Sequence, residues 1–400
     1  MNFPDFSQSS FLRQHIRSIL DFYEPNVEDP HGGFYQNFLD DGKVYDHQTR
    51  HLVSSARFVF NYARAFLEFN DPKYLKRVNS GIEFIRNAHF NPQFKSYGWL
   101  LNVEQGKVET KDDNNHCYGF AFVMLAYSWA IKVGHSKAEE YLEETWSTME
   151  RVFWDADNLL YKDEFDGTLS KDSGYRGQNA NMHTCEALIA AYHATSKQKF
   201  LDRAMILADS IVNRQAALTN GFIWEHFHRD WTVDLEYNQD DPKNLFRPWG
   251  FQPGHQTEWA KLLLMLYQLT NKPWLLERAQ QLFTRTLAIS WDEKNKGIAY
   301  GFDLQNKICD GEKYFWVQAE SFAAAAYLYA HTKKQEYLHW YQKIWQYSWE
   351  HMVDHKYGAW FRILSNDNQK LENTKSPIGK TDYHTMGACY DVLSLRLSDS

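Results

Sequence analysis

Six short segments rich in glycine and aromatic residues recur along the chain: Gly33-Phe34-Tyr35, Tyr97-Gly98-Trp99, Leu159-Leu160-Tyr161, Gly221-Phe222-Ile223-Trp224, Gly297-Ile298-Ala299-Tyr300 and Tyr357-Gly358-Ala359-Trp360. Most are followed by a polar turn, as at Asp40-Asp41-Gly42, Glu104-Gln105-Gly106, Asp166-Gly167, Asn306-Lys307 and Asn366-Asp367-Asn368. Successive copies lie roughly 60 to 75 residues apart, the spacing of a repeated supersecondary unit. Two helices and their connections fit between copies, so six helical hairpins fill the 400 residues. The expected fold is all-α, an (α/α)6 barrel or toroid, with short β/loop segments gathered at one end. It is expected to form one domain over residues 1–400.

Helical periodicity supports this count. Phe11, Leu12, His15, Ile16, Ile19, Leu20 and Tyr23 share one face. Further helices are expected at about 49–69, 72–88, 114–132, 136–153, 180–195, 197–214, 255–270, 273–289, 315–331, 334–351 and 382–396. Pro72 after Asp71 marks one start. Apolar members (Phe120–Ala130, Ala187–Ala194, Leu262–Leu269, Ala323–Ala330) alternate with amphipathic ones, which predicts an inner and an outer ring. Two stretches break the rhythm, Ser170–Asn181 and Asp230–Pro253. The second carries Trp231, Tyr237, Phe246, Trp249 and Phe251, a content that predicts an ordered loop over the mouth of the ring.

Composition excludes several functions. A formal net charge of −8 without a basic stripe argues against nucleic acid. No run approaches 18 apolar residues, so no membrane span is expected. The opening Met1-Asn2-Phe3-Pro4-Asp5 lacks the pattern of a secretory signal. Cys117, Cys185, Cys309 and Cys389 are scattered, as in a cytoplasmic protein with reduced thiols. Aromatics make up 16% of residues, enough both to fill a wide helical core and to line a cleft where rings stack on sugar faces.

No GxSxG elbow, phosphate loop or HExxH motif is present. What stands out is histidine beside helix starts: His183 after Gln178-Asn179-Ala180-Asn181-Met182, His255 in Pro253-Gly254-His255-Gln256-Thr257-Glu258-Trp259, and His384 in Thr381-Asp382-Tyr383-His384. Inner helices that start on one side bring their first turns together. Glu258 follows His255 by three residues and shares its helix face, where it can orient the imidazole. The Glu225-His226-Phe227-His228 run is a rival, since His226 and His228 on one face of an extended strand could ligate a metal. Asp112, Asp113, Glu258 and Glu320 are the acids a glycosidase on the same fold would use.

Taken together, His51–Arg57, Tyr118–Phe122, Gly177–His183, Glu225-His226-Phe227, Tyr237–Pro242, Phe246–Trp259, Phe315–Glu320 and Asp382–His384 make the chain similar to the N-acylglucosamine 2-epimerase superfamily. The resemblance is closest to its aldose–ketose isomerases acting on free mannose. These segments fall in most of the repeats. The resemblance implies a metal-free, cofactor-free monomer or homodimer whose small-molecule partner is a monosaccharide. It implies that His255 and His384 transfer protons and that Arg57, Tyr118, Asn179, His183, Arg247, Glu258, Trp316 and Glu320 line the sugar site. Such an enzyme opens the sugar ring and removes the proton α to the carbonyl. Return of the proton to C1 of the cis-enediol gives the ketose, and return to C2 gives the epimer. Arg57 or Arg247 would steady the enediolate. The alternatives are 2-epimerisation of glucose, cellobiose or N-acylglucosamine, glycoside hydrolysis, and carbohydrate binding without catalysis.

Overall fold

The computed structural model describes residues 3–397; Met1, Asn2 and the last three residues of the expected domain lie outside it. Twelve α-helices occur among the described residues: α1 (Ser9–Tyr23), α2 (Leu52–Phe69), α3 (Pro72–Phe84), α4 (Cys117–Lys132), α5 (Ala138–Val152), α6 (Gln178–Thr195), α7 (Gln198–Asp209), α8 (Pro253–Thr270), α9 (Pro273–Ser290), α10 (Phe315–Thr332), α11 (Gln335–Tyr347) and α12 (Tyr383–Leu395). Three of the expected helices are shorter than their periodicity suggests. Their last turns widen into π-helix at Ile85–His89, Ser210–Gln215 and Ser348–Met352, which keeps the apolar spacing while changing the hydrogen-bond register. None of these helices is long and apolar enough to cross a membrane.

The even-numbered helices are buried on nearly every side, as in α4 and α10. The odd-numbered ones bury a single stripe, as α5 does through Leu142, Thr145, Trp146, Met149 and Val152. Along the inner set α2 packs on α4, α4 on α6, α6 on α8, α8 on α10 and α10 on α12, and α12 packs back on α2. The inner helices α2, α6, α8 and α10 each end on a left-handed residue, Asn70, Ser196, Asn271 and Lys333, which satisfies a terminal carbonyl and turns the chain outward.

Short strands lead into the inner helices and stitch each repeat to the next. Thr49–His51 pairs with the strand at Leu100–Glu104, Asn115–His116 with Glu164–Phe165, Arg176–Gly177 with His226–Phe227, and Lys313–Tyr314 with Ile363–Leu364. Phe251 bridges to Phe302 in the same manner. The sixth stitch joins Thr374–Ser376 to Asn37–Leu39, near opposite ends of the chain.

The recurring aromatic segments sit behind these strands and explain their own spacing. In three repeats the fourth residue of the inner helix is an amide that clamps the segment by both backbone groups. Asn181 accepts from the N–H of Tyr161 at 2.7 Å and donates to its carbonyl at 3.1 Å. Gln256 does the same to Ile223 at 2.9 and 2.8 Å, and Gln318 to Ile298 at 3.0 and 2.9 Å. A carboxamide carries a donor and an acceptor side by side, so it substitutes for a strand edge. Each clamp fixes where its helix begins, and thereby the height of every residue after it.

Candidate active site

That common height assembles the site. The second residues of four inner helices are Tyr118, Asn179, Trp316 and His384 on α4, α6, α10 and α12. One turn lower, the sixth residues are Arg57, Phe122, His183, Glu258 and Glu320 on α2 to α10. The ninth residues include Glu186, Lys261 and Asp391 on α6, α8 and α12. Steps of four and three residues return to one helix face, so three tiers of side chains point inward from different parts of the sequence.

Two imidazoles are held in the same way. His255 Nδ1 lies 2.9 Å from both carboxylate oxygens of Glu225, and His384 Nδ1 lies 2.7 Å from Glu320 Oε1. Each partner is a buried carboxylate, an acceptor, so Nδ1 donates to it and Nε2 is left outside the clasp. Trp316 lies against both rings, 4.9 Å from His255 and 5.6 Å from His384 between centroids. It reaches this place because Gly254 has no side chain: a Cβ there would meet the Trp316 ring at 2.3 Å. His384 follows two left-handed residues, Thr381 and Asp382. For a β-branched threonine this is a strained conformation. Asn61 holds it by donating to the Thr381 carbonyl, while Tyr23 and Lys380 hold the Asp382 carboxylate.

A third imidazole, His183, donates or accepts at Nδ1 with Glu186, 3.0 Å away, and lies 6.3 Å from His384 between ring centroids. Arg57 donates to the Tyr118 hydroxyl at 2.9 Å and to the Gly379 carbonyl, with its charge over the faces of Phe122 and Tyr383. Burial pushes His384 down to about 4 despite the pull of Glu320, so it is a neutral base at physiological pH. Burial lowers His183 as well. Burial and then the charge of Glu320 raise Glu258 far above the carboxylate range, so that it holds its proton, and its Oε2 has no hydrogen-bond partner. Glu320 is buried too, but Lys261 and His384 outweigh that cost and hold it at about 2.

Several expectations are corrected. His255 is oriented by Glu225, and Glu258 is instead 4.0 Å from His183. Arg247 pairs with Glu164, donates to the Tyr237 hydroxyl at 3.1 Å and stacks on Tyr175 at 3.6 Å. His226 cannot be half of a metal pair with His228, because Tyr175 and the Pro248 carbonyl occupy both its nitrogens, while His228 is exposed beside Asp234. Donor sets close enough to hold a cation occur elsewhere, as His183, Glu186 and Glu258 and as Glu258, Glu320 and His384, each within 4.8 Å. They come from four helices, so no sequence spacing announces them. A cation is already among them: Lys261 Nζ is 2.5 Å from Glu320. Asp113, one of the acids a glycosidase would need, is exposed. The long loop is ordered as expected, with Trp231 buried and Trp249 donating to the Leu235 carbonyl.

Three contributors were missed. Glu186 stands three residues after His183, the same spacing that drew attention to Glu258, and so was open to the same reasoning. Glu225 lay in the run read for metal. Lys261 had no local signal, because a lysine inside an apolar helix is legible only once its partners are known.

The model of the N-acylglucosamine 2-epimerase family (GlcNAc 2-epimerase) matches residues 33–388. A D-mannose isomerase of Marinomonas mediterranea is 51% identical over 98% of this chain and 99% of its own. A D-mannose isomerase of Thermobifida fusca is 30% identical over 89% of this chain and 86% of its own. A solved D-mannose isomerase structure superposes with a TM-score of 0.96 at 50% identity, covering 98% of this chain and 100% of that one. With a matched family model over most of its length, this chain belongs to the N-acylglucosamine 2-epimerase family.

Proposed function

We propose that the protein is an aldose–ketose isomerase that interconverts free D-mannose and D-fructose, with D-lyxose and D-xylulose as a second pair. The observation that carries this reading is the pair of imidazoles packed against Trp316, each pinned at Nδ1 by a buried carboxylate. The twelve helices are inferred to close as a single (α/α)6 barrel, with the site at the end where the inner helices begin. A cytoplasmic location fits three buried thiols without a disulfide.

The sugar lies against Trp316, whose ring packs on its carbon face. One imidazole takes the anomeric O1 proton at Nε2 as the C1=O1 bond forms and passes it to the ring oxygen as the C1–O5 bond breaks. The neutral Nε2 of the other takes the proton from C2, which moves the electron pair into the C1–C2 bond and onto O1. Arg57 balances the charge that develops on the enediolate. Glu258, protonated, donates to a sugar hydroxyl, and Tyr118, Asn179 and His183 fix the others. The first imidazole carries the O2 proton to O1, and the base, after exchange of its proton with solvent, protonates C1 as the C2=O2 bond forms, giving the ketose. Arg247 shapes the wall through Glu164 and Tyr175 without touching the reacting atoms. Hydrolysis is disfavoured because Glu320 is committed to His384 and Lys261 and cannot serve as a free acid.

Mannose incubated with the protein in D2O should give fructose carrying deuterium at C1. Glucose as the first product, labelled at C2, would make the protein a 2-epimerase. No divalent ion is needed for this chemistry: dialysis against a strong chelator should leave the rate unchanged, and a rate that returns only with added Mn²⁺, Co²⁺ or Zn²⁺ would overturn the two-imidazole scheme.

A further inference from the structure

We propose that Lys261 is a positioning residue for the reaction, its ammonium fixing the Glu320 carboxylate that in turn fixes His384. The inference rests on the reading of His384 as a proton-transfer group. Lys261 is the ninth residue of α8, on the face that carries Glu258, and its side chain is 4% exposed. Its Nζ is 2.5 Å from Glu320 Oε2 and 3.5 Å from Asp391 Oδ2. Glu320 uses its other oxygen for His384 Nδ1, at 2.7 Å. Beyond Asp391 stands Arg64, 3.1 Å away. A continuous line of charge therefore runs from Arg64 on α2 through α12 and α8 to α10, and back to the imidazole on α12.

An ammonium this deep is costly unless its surroundings require it. The groups facing it are Glu320, Asp391, Glu186, Glu258 and the Tyr327 hydroxyl, with Arg64 behind Asp391. Those facing His384 are Glu320, Arg57 and His183. Without Lys261 the carboxylates of Glu320 and Glu258 confront each other, and the Glu320–His384 pair gains proton affinity. Glu320 then swings or protonates, and the Nδ1 donor that aims His384 loses its acceptor. Lys261 touches no substrate, so its removal should appear in turnover and leave binding nearly intact.

The test compares wild type, Lys261→Met, Lys261→Gln, Glu320→Gln and the Lys261→Met/Glu320→Gln double variant on mannose. Removing the ammonium should lower kcat by about 10- to 100-fold with KM within about threefold, and move the acid limb of kcat/KM to higher pH. In the Glu320→Gln background the same substitution should cost less than about threefold, because both changes break one line. A folded Lys261→Met or Lys261→Gln variant within about twofold of wild type would overturn the proposal. So would a loss that persists in full in the double variant, or a failure of both single variants to fold, which would make Lys261 a stability residue. Wild type that turns over no aldose would instead overturn the isomerase reading. In that case the imidazole NMR signal of His384 decides the Lys261 link: its titration should move to higher pH in Lys261→Met, and an unmoved titration rejects the link.

Discussion

His255 and His384 are the same residue type in the same kind of clasp, yet burial separates them. The His384 side chain is 8% exposed and its imidazole is pushed down to about 4, whereas the His255 side chain is 13% exposed. Replacing either imidazole with alanine removes the proposed proton carrier and takes the imidazole donor away from its carboxylate. His384→Ala and His255→Ala should each lower kcat by about 10²- to 10⁴-fold, with an unchanged far-UV circular dichroism spectrum. A variant that keeps half of the wild-type rate would take its histidine out of the scheme. The carboxylates add a gradation. Glu225→Gln keeps an oxygen acceptor for His255 Nδ1 but loses the charge, so its effect should be the smaller one.

At the level of helices, the amide clamps do the aligning. Gln318 satisfies the N–H and C=O of Ile298 behind α10, and both groups are buried. Gln318→Ala leaves two backbone groups without partners, each costing about 1–3 kcal/mol, so the melting temperature should drop by several degrees, and kcat with it, because Trp316 and Glu320 ride on the same helix. A Gln318→Ala protein that melts like wild type would show that the clamp is dispensable. Twelve helices and their alternation were legible from periodicity, because the inner set is apolar all round and the outer set on one stripe. Three π-turns were not, since a widened turn preserves the apolar spacing. His183, His255, Trp316 and His384 could be read from their places near helix starts and from the family likeness. The partners of Arg247 were not legible, because its loop has no period from which to infer a direction. Lys261 stayed hidden because its partners lie 59 and 130 residues further along the chain, at Glu320 and Asp391.

Across the molecule, burial sets the response to acid. His15, His89 and His384 are pushed down to about 4 and His51 to about 3, in each case chiefly by burial, and His183 and His226 are lowered for the same reason. In the unfolded chain such groups titrate near 6.5. Between about pH 6.5 and 4 the unfolded state therefore binds more protons, and stability held above that window is lost as pH falls through it. Asp163, Glu258 and Asp310, raised by burial, work in the opposite direction, but three carboxyls do not offset six imidazoles. The melting temperature should fall steadily from pH 6.5 to 4; a flat profile would show that water reaches these histidines.

The stitch between Asn37–Leu39 and Thr374–Ser376, and the packing of α12 on α2, join segments that are more than 300 residues apart. His384 is set in place by Asn61 and Tyr23 from the opening repeat, so a ribosome must deliver almost the whole polypeptide before the two clasped imidazoles can stand together. A chain cut short before α12 should therefore lack the Glu320–His384 clasp, however well its earlier hairpins pack.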